Sequence, residues 1–272
     1  MTAVRDKVML ITGAAGGIGS HLTAALAGRG AHVIATAHDT AELETCAKAQ
    51  GWRGVTCRTL DVRSWEDWRR VTDETLSVHG RVDVLLHVAG VLKPGRCWEV
   101  DPAEIDRHAD INLKGVQLGT RAVAPSMVAR GQGHVVCIGS LASLSPLPGN
   151  ALYGASKFGV RGFALGAAME LAPHGVAVTL VMPDAVETPM LDLQRDFDEA
   201  AMTFSGSRPL RPEEITDAIL RVVLPQRPLE LPIPQTRGLL ARLSSLAPAS
   251  TARLLPLMIE RGRRAKHRKR AV

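Results

Sequence analysis

From Lys7 to about Val181, short apolar runs of strand length alternate with longer stretches of helical period. Residues 8–11, 33–35, 55–57, 82–86, 135–138 and 176–181 are mostly β-branched and do not alternate apolar with polar. Runs of that kind suit parallel strands covered on both faces. The stretches between them carry helix punctuation. Ser64-Trp65-Glu66-Asp67 places a capping oxygen and two acids at a helix start, with Gly80 beyond its end, and Asp101-Pro102-Ala103-Glu104 resembles a capping box with proline at the first helical position. Repeated β–α alternation predicts an α/β fold built on a doubly wound parallel sheet with helices on both faces. Past Pro183 the pattern loosens, then resumes with a helix at 212–223 and a last strand at 228–233. Residues 238–246 and 252–258 are leucine-rich and amphipathic, and are expected to pack on the body or on a second subunit. The expected organisation is one sheet domain over 1–235, an amphipathic helical extension over 236–260 and a basic tail over 261–272.

Composition narrows the class. Of the 272 residues, 46% are hydrophobic and 22% charged, which is globular usage and leaves no room for a long disordered tract. No apolar run approaches the roughly 18 residues of a membrane span, and residues 1–7 lack a signal-peptide pattern, so a cytoplasmic protein is expected. Cys46, Cys57, Cys97 and Cys137 form no Cys-x-x-Cys pair and no metal-ligand spacing; reduced thiols and no metal site are expected. The net charge of +6 is local. Residues 261–270 hold seven of the 33 basic residues and no acid, leaving 26 against 27 acidic ones elsewhere. Nucleic acid is therefore not an expected partner, and the block reads as a solvated end. An apolar face followed by cations also fits a peripheral membrane contact.

The run Thr12-Gly13-Ala14-Ala15-Gly16-Gly17-Ile18-Gly19 directly follows the first strand and opens a helix running to about Arg29. Glycines there allow a tight turn and let the backbone approach a pyrophosphate held on amide hydrogens at the positive helix end. In that position the run predicts a Rossmann-type dinucleotide site. Two spacings fit: Gly13, Gly17 and Gly19, or Gly13, Gly16 and Gly19. At the end of the second strand an acid would hold both ribose hydroxyls of NAD and repel the extra phosphate of NADP. The residues there are Thr36-Ala37-His38-Asp39. Ala37 at the acid position, with His38 able to bond a 2′-phosphate, favours NADP(H) over NAD(H), although Asp39 can still swing toward the ribose.

Tyr153-Gly154-Ala155-Ser156-Lys157 lies at the start of a helical stretch that continues to about Leu171, and i to i+4 spacing puts phenol and ammonium on one face. A neighbouring cation lowers a phenol's pKa and makes it a usable general acid or base. Tyr153 is the only tyrosine in the chain. Ser140 follows the fifth strand, and Asn112 sits inside the long preceding helix. With the glycine turn, Asn112, Ser140, Tyr153 and Lys157 in this order, residues 7 to about 225 resemble the short-chain dehydrogenase/reductase family. The resemblance implies that Ser140 bonds the substrate oxygen, Tyr153 passes the proton, and Lys157 depresses the tyrosine pKa while holding the nicotinamide ribose. Asn112 would break its helix and seat a water linked to Lys157. It further implies Asp61 and Val62 near adenine, Ala89 and Gly90 after the fourth strand, and Thr188 near the carboxamide. Two positions depart from the family pattern. His87-Val88-Ala89-Gly90 stands where Asn-Asn-Ala-Gly is usual, and Pro183-Asp184 where Pro-Gly is usual.

The expected activity is hydride transfer between a nicotinamide cofactor and a secondary alcohol or ketone, with no metal, in the direction of reduction by NADPH. Substrate choice should lie in residues 91–98, 141–150 and 184–210, at the carboxyl ends of the strands. Leu141, Leu144, Leu147, Met190, Leu191, Leu193, Phe197, Met202 and Phe204 make those loops apolar, so an apolar ketone is expected. The same Tyr and Lys would serve sugar-nucleotide epimerisation or dehydration, though such proteins carry a larger C-terminal domain; a catalytically idle NADP(H)-binding scaffold would not require all four residues. The resemblance also implies a homodimer or homotetramer built on helices around 101–130 and 151–172, with Phe158, Phe163 and Met169 as candidate contacts.

Overall fold

Each strand is followed by a connection long enough to return the chain to the same end of the sheet, so successive strands pair parallel. The computed structural model describes residues 4–268. Its elements are β1 (Val8–Thr12), α1 (Gly17–Ala27), β2 (His32–Ala37), α2 (Thr40–Ala49), β3 (Val55–Thr59), α3 (Trp65–His79), β4 (Val84–His87), α4 (Pro102–His108), α5 (Gly115–Arg130), β5 (Gly133–Ile138), α6 (Ala151–Leu171), β6 (Val176–Pro183), α7 (Pro189–Leu193), α8 (Pro212–Ala218), α9 (Leu224–Gln226), β7 (Glu230–Ile233), α10 (Gln235–Leu246) and α11 (Pro248–Arg268). The strand order is β3-β2-β1-β4-β5-β6-β7 and every neighbouring pair is parallel. The order reverses between β1 and β4, which opens a crevice at their carboxyl ends.

Successive strand side chains point to opposite faces, and both faces are covered, which is why the strand runs do not alternate. Met9 and Ile11 of β1 pack with Leu22 and Leu26 of α1 and Ile215 of α8. Val8 and Leu10 face the other layer, with Trp68 and Val71 of α3, Val123 and Met127 of α5, and Val160 of α6. The caps read from sequence are present. Ser64 accepts from the Asp67 amide at 3.1 Å, Gly80 takes a left-handed φ of 70°, and Asp101 accepts from the Ala103 amide at 2.9 Å with Pro102 next.

The C-terminal segment departs from expectation. The basic block does not leave the fold at Arg261: α11 continues without a break from the leucine-rich stretch into it, as far as Arg268. Lys266 is buried and its ammonium donates to the Phe197 carbonyl at 2.9 Å, with Asp198 at 3.3 Å. Gly262 lies so close to the Ala201 backbone that a Cβ there would meet its carbonyl oxygen at 1.9 Å. Residues 269–272 of the basic block lie outside the described residues. Among the described residues no helix is long and apolar enough to cross a membrane.

Candidate active site

Sterics choose between the two glycine spacings. Gly13 has φ +65° and a Cβ there would stand 2.7 Å from the Ala89 backbone; at Gly17 it would strike the Thr188 side chain at 2.4 Å, and at Gly19 the Gly13 carbonyl at 2.1 Å. Gly16 would tolerate one far better, at 3.3 Å from its nearest neighbour, and serves as the residue before α1. Gly13, Gly17 and Gly19 are therefore the required set. Thr12 ties this turn to the next strand end, its hydroxyl accepting from the Val88 and Ala89 amides at 3.1 and 3.2 Å. The turn leads directly into the N-terminus of α1, the arrangement that receives a pyrophosphate.

At the end of β2, Ala37 is buried and His38 exposed, while the Asp39 carboxylate accepts from the Ala41 amide at 2.8 Å and so caps α2. Asp61 is engaged by a fork from Arg63, with distances of 2.6 to 3.0 Å, and this pairing holds its carboxyl below the usual range. Sequence reasoning passed over Arg63. Val62 is buried against Gly115.

The four catalytic candidates converge. Asn112 lies in a π-helical turn, Ala109–Lys114, between α4 and α5, so the helix does break its α-helical register there. It is fully buried; its amide oxygen accepts from the Val91 amide at 2.8 Å, and its NH2 donates to the Val91 carbonyl at 3.0 Å and the Ser156 hydroxyl at 2.9 Å. That pins the segment after β4 to α6. Ser140 follows β5 and caps a short 3-10 turn, Leu141–Ser143, accepting from the Ala142 amide at 3.1 Å. Its hydroxyl also stands close enough to the Tyr153 phenol to favour the phenolate. The cap role and the site role thus coexist in one side chain. Lys157 is buried and donates to the Ile138 carbonyl at 2.8 Å, with its nitrogen 5.6 Å from the Tyr153 ring centroid. Gly90 faces both helices: a Cβ there would stand 3.3 Å from the Asn112 amide oxygen and 3.6 Å from the Lys157 nitrogen.

Electrostatics at this pair run opposite to the expected direction. Burial pushes the Tyr153 phenol up to about 12, against a smaller lowering by the Ser140 hydroxyl, and pushes Lys157 down to about 8. Desolvation disfavours phenolate and ammonium alike, and it is the largest cause at both groups.

The two departures from the family pattern have distinct outcomes. His87 is buried, hydrogen-bonded to the Thr120 hydroxyl at 3.2 Å and edge-on to Trp68, and desolvation pushes it down to about 3. It is a neutral packing residue. Asp184 pairs with Arg237 of α10 at 2.6 Å, a partner that sequence did not reveal.

A cavity of about 600 Å³ lies at the carboxyl ends of the strands, within the range of roughly 300–1,000 Å³ usual for small-molecule sites. It is lined by Ile18, Gly90, Ser140, Tyr153, Lys157 and Thr188, together with Leu141, Leu147, Met190, Leu191 and Met202 from the loops expected to select substrate. Leu144 instead joins the core, Phe204 is buried away from the cavity wall and Leu193 is exposed. Gly13, Gly17, Gly19, His38, Asp61, Val62, Ala89 and Asn112 do not line this cavity. The glycines and Ala89 shape its cofactor side from behind, and Asn112 supports it. Sequence did not reveal the part of the wall that the C-terminal helices supply, which includes Arg237, Leu240, Leu243 and Ser244 of α10, and Leu254, Met258 and Arg261 of α11. Ser244 holds α10 over the site through the Ser145 hydroxyl at 2.8 Å, and Ser245 through the Leu144 carbonyl.

A parallel sheet with a glycine cradle at its crossover and a Ser–Tyr–Lys cluster beside it defines an oxidoreductase of the doubly wound α/β class. Residues 7–199 match the model of the short chain dehydrogenase family, and the chain belongs to that family. It is 35% identical over 224 residues to a 3-oxoacyl-(acyl-carrier-protein) reductase of Thermotoga maritima, covering 80% of this chain and 90% of that one. It is 34% identical over 228 residues to the trans-4-hydroxycyclohexanecarboxylate dehydrogenase of Sinomonas cyclohexanicum, covering 80% and 85%. A metagenomic short-chain oxidoreductase solved in complex with NADP superposes with a TM-score of 0.70 at 30% identity, over 85% of this chain and 96% of that one.

Proposed function

We propose that this oxidoreductase reduces an apolar ketone to a secondary alcohol with NADPH, with Asn112, Ser140, Tyr153 and Lys157 as its working residues. The observation that carries the reading is the meeting of Ser140, Tyr153 and Lys157 on the wall of one largely apolar cavity. The tight turn that Gly13, Gly17 and Gly19 allow before the α1 N-terminus suits a dinucleotide's pyrophosphate; Ile18, Gly90 and Thr188 would flank its nicotinamide end, and Asp61 and Val62 its adenine end. When bound, the cofactor supplies a hydride, and with it two electrons, to the carbonyl carbon.

The protein's part is to hold the carbonyl oxygen and deliver a proton to it. Ser140, its oxygen occupied by the Ala142 amide, directs its hydrogen toward the substrate oxygen. Tyr153 gives up its phenolic proton as the C–O π bond becomes a C–O single bond, so the alcohol gains one hydrogen on carbon and one on oxygen. A phenol held near 12 is protonated at pH 7, the form reduction needs. Lys157, fixed by Ile138, places a cation beside the phenolate left behind and a donor toward the ribose through the gap at Gly90. Asn112 acts on Lys157's side of the site by fixing Val91.

NADP(H) is favoured over NAD(H) because Asp39 is occupied as the cap of α2 while His38 and Arg63 stand at that end of the sheet. The NADP bound by the metagenomic relative supports the same choice. A homodimer or homotetramer fits the exposure of Phe158 and Met169 on α6, whereas Phe163 packs against its own core. Tyr153→Phe is the direct test. Turnover of a ketone should fall by at least about 10²-fold while NADPH, titrated by fluorescence, binds as before and more tightly than NADH. Unchanged turnover removes Tyr153 from the reaction, and tighter NADH binding reverses the cofactor assignment.

A further inference from the structure

The two C-terminal helices do more than close the cavity: they leave a leucine face in water. On α10, Leu239, Leu240, Leu243 and Leu246 recur at helical spacing and all are more than half exposed; on α11, Leu254 and Leu257 continue the face. Leu246 is 81% exposed and Leu257 70%. Thr251 ties the pair together by donating to the Ser244 carbonyl at 3.1 Å. Three of these residues, Leu240, Leu243 and Leu254, also line the cavity that holds Ser140 and Tyr153. The apolar outer face and the apolar interior of the site are therefore one continuous surface.

On α10 and α11 themselves cations outnumber acids by a wide margin. Arg253 lies one turn before Leu257, and Arg261 and Arg264 lie one and two turns after it, so guanidinium groups border the leucines. Among the described residues Arg253, Arg261 and Arg263 form no ion pair, and Glu260, paired to Arg264, is the only acid on either helix. A second copy of this chain docking here about a twofold axis would bring a second arginine-bordered face against the first, with Glu260 the single acid of the two helices to offset it. An anionic lipid surface matches both parts: acyl chains accept the leucines, and long arginine side chains reach the phosphates.

We propose that α10 and α11 seat the protein on an anionic phospholipid bilayer, with the mouth of the cavity facing the lipid so that an apolar substrate enters from it. The docking stands on the helices alone; the substrate route rests on the ketone-reductase reading. The full chain is sedimented with vesicles of phosphatidylcholine and phosphatidylglycerol, and with phosphatidylcholine alone. It should pellet with the mixed vesicles only and be released by salt. In Leu246→Asp/Leu257→Asp the pelleted fraction should fall by about tenfold, with melting temperature and turnover of a water-soluble ketone unchanged, since neither leucine lines the cavity.

A chain that stays in the supernatant with anionic vesicles, or a double variant that pellets like the parent, overturns the docking. So does sedimentation velocity showing a dimer that the double variant splits, which would assign the face to a second copy. For the route, an apolar ketone dissolved in the mixed vesicles should be consumed more slowly by the double variant than by the parent; equal rates overturn the route. Absence of turnover with any ketone would remove the reductase reading and leave the vesicle result standing.

Discussion

Gly19 carries more of the cofactor argument than its size implies. Its α-hydrogen occupies the space where a Cβ would lie 2.1 Å from the Gly13 carbonyl, so any side chain must push the first turn away from the start of α1. That turn is also held from β4 through Thr12, and it has little room to move. In Gly19→Ala the cradle should no longer close on a pyrophosphate. A ligand at about 100 times its Kd stabilises a fold by about 2.7 kcal/mol, and thermal unfolding with and without NADPH reads that gain. The upward shift seen for the parent should be absent in Gly19→Ala and retained in Tyr153→Phe; a retained shift in the glycine variant would place the cofactor elsewhere. The contrast separates a residue that shapes the binding turn from one that moves a proton.

At the scale of elements, the Asp184–Arg237 pair decides how α10 sits over the site. Asp184 follows β6 and is largely buried; burial raises its carboxyl and Arg237 offsets that only in part. Removing one partner of a buried pair leaves an uncompensated charge, whereas removing both costs less. Arg237→Met should lower stability by about 2 kcal/mol, discounted because the arginine is about a third exposed. Asp184→Asn combined with Arg237→Met should recover part of it in urea unfolding, as a coupling between neighbours. Equal losses in the single and double variants would mean that the pair does not tether the helix. This pair also marks where sequence reading stops. Strand identity, the caps at Ser64 and Asp101, and the Tyr153–Lys157 spacing are written locally, because hydrophobic period and hydrogen-bond geometry act over a few residues; Asn112 and Ser140 were legible only through the order of motifs that carries the resemblance. The partner of Asp184 lies 53 positions away, and Ser244 meets Ser145 across 99. Leucine period announced α10 and α11 but not the surface they cover. The basic run from Arg261 was misread for the same reason: its helix is held by Gly262 against Ala201 and by Lys266 against Phe197, neither of which has a local signature.

For the molecule as a whole, acid sensitivity follows from two histidines sealed between the sheet and its helices. His87 sits under α3 and α5 with a pKa pushed down to about 3, and His134 bonds the Thr179 hydroxyl at 2.9 Å with a pKa pushed down to about 4. Both are neutral in the folded chain at pH 7, and so are most histidines of an unfolded chain, whose ordinary value is near 6.5. As pH falls through 6.5 the unfolded chain takes up protons that the folded chain cannot accept, so each histidine removes about 1.4 kcal/mol of stability per pH unit until its folded value is reached. Glu214, held down at about 2, and Asp61 and Asp83, held below their ordinary values, lose stability only in the lower window, as pH falls through the ordinary carboxylate range. Asp184 acts the other way, since a raised carboxyl is relieved by protonation. Between about pH 6.5 and 5 the histidines held down by burial, His87 and His134 foremost with the more exposed His79 beside them, carry the loss, and the raised Asp184 opposes it. Urea midpoints should fall across that interval, and in His87→Asn, which places the family's usual residue between Trp68 and Thr120, the slope should be smaller by about half. If the slope is unchanged, the buried imidazole is already charged at neutral pH and must have a counter-charge that the packing around Trp68 does not supply.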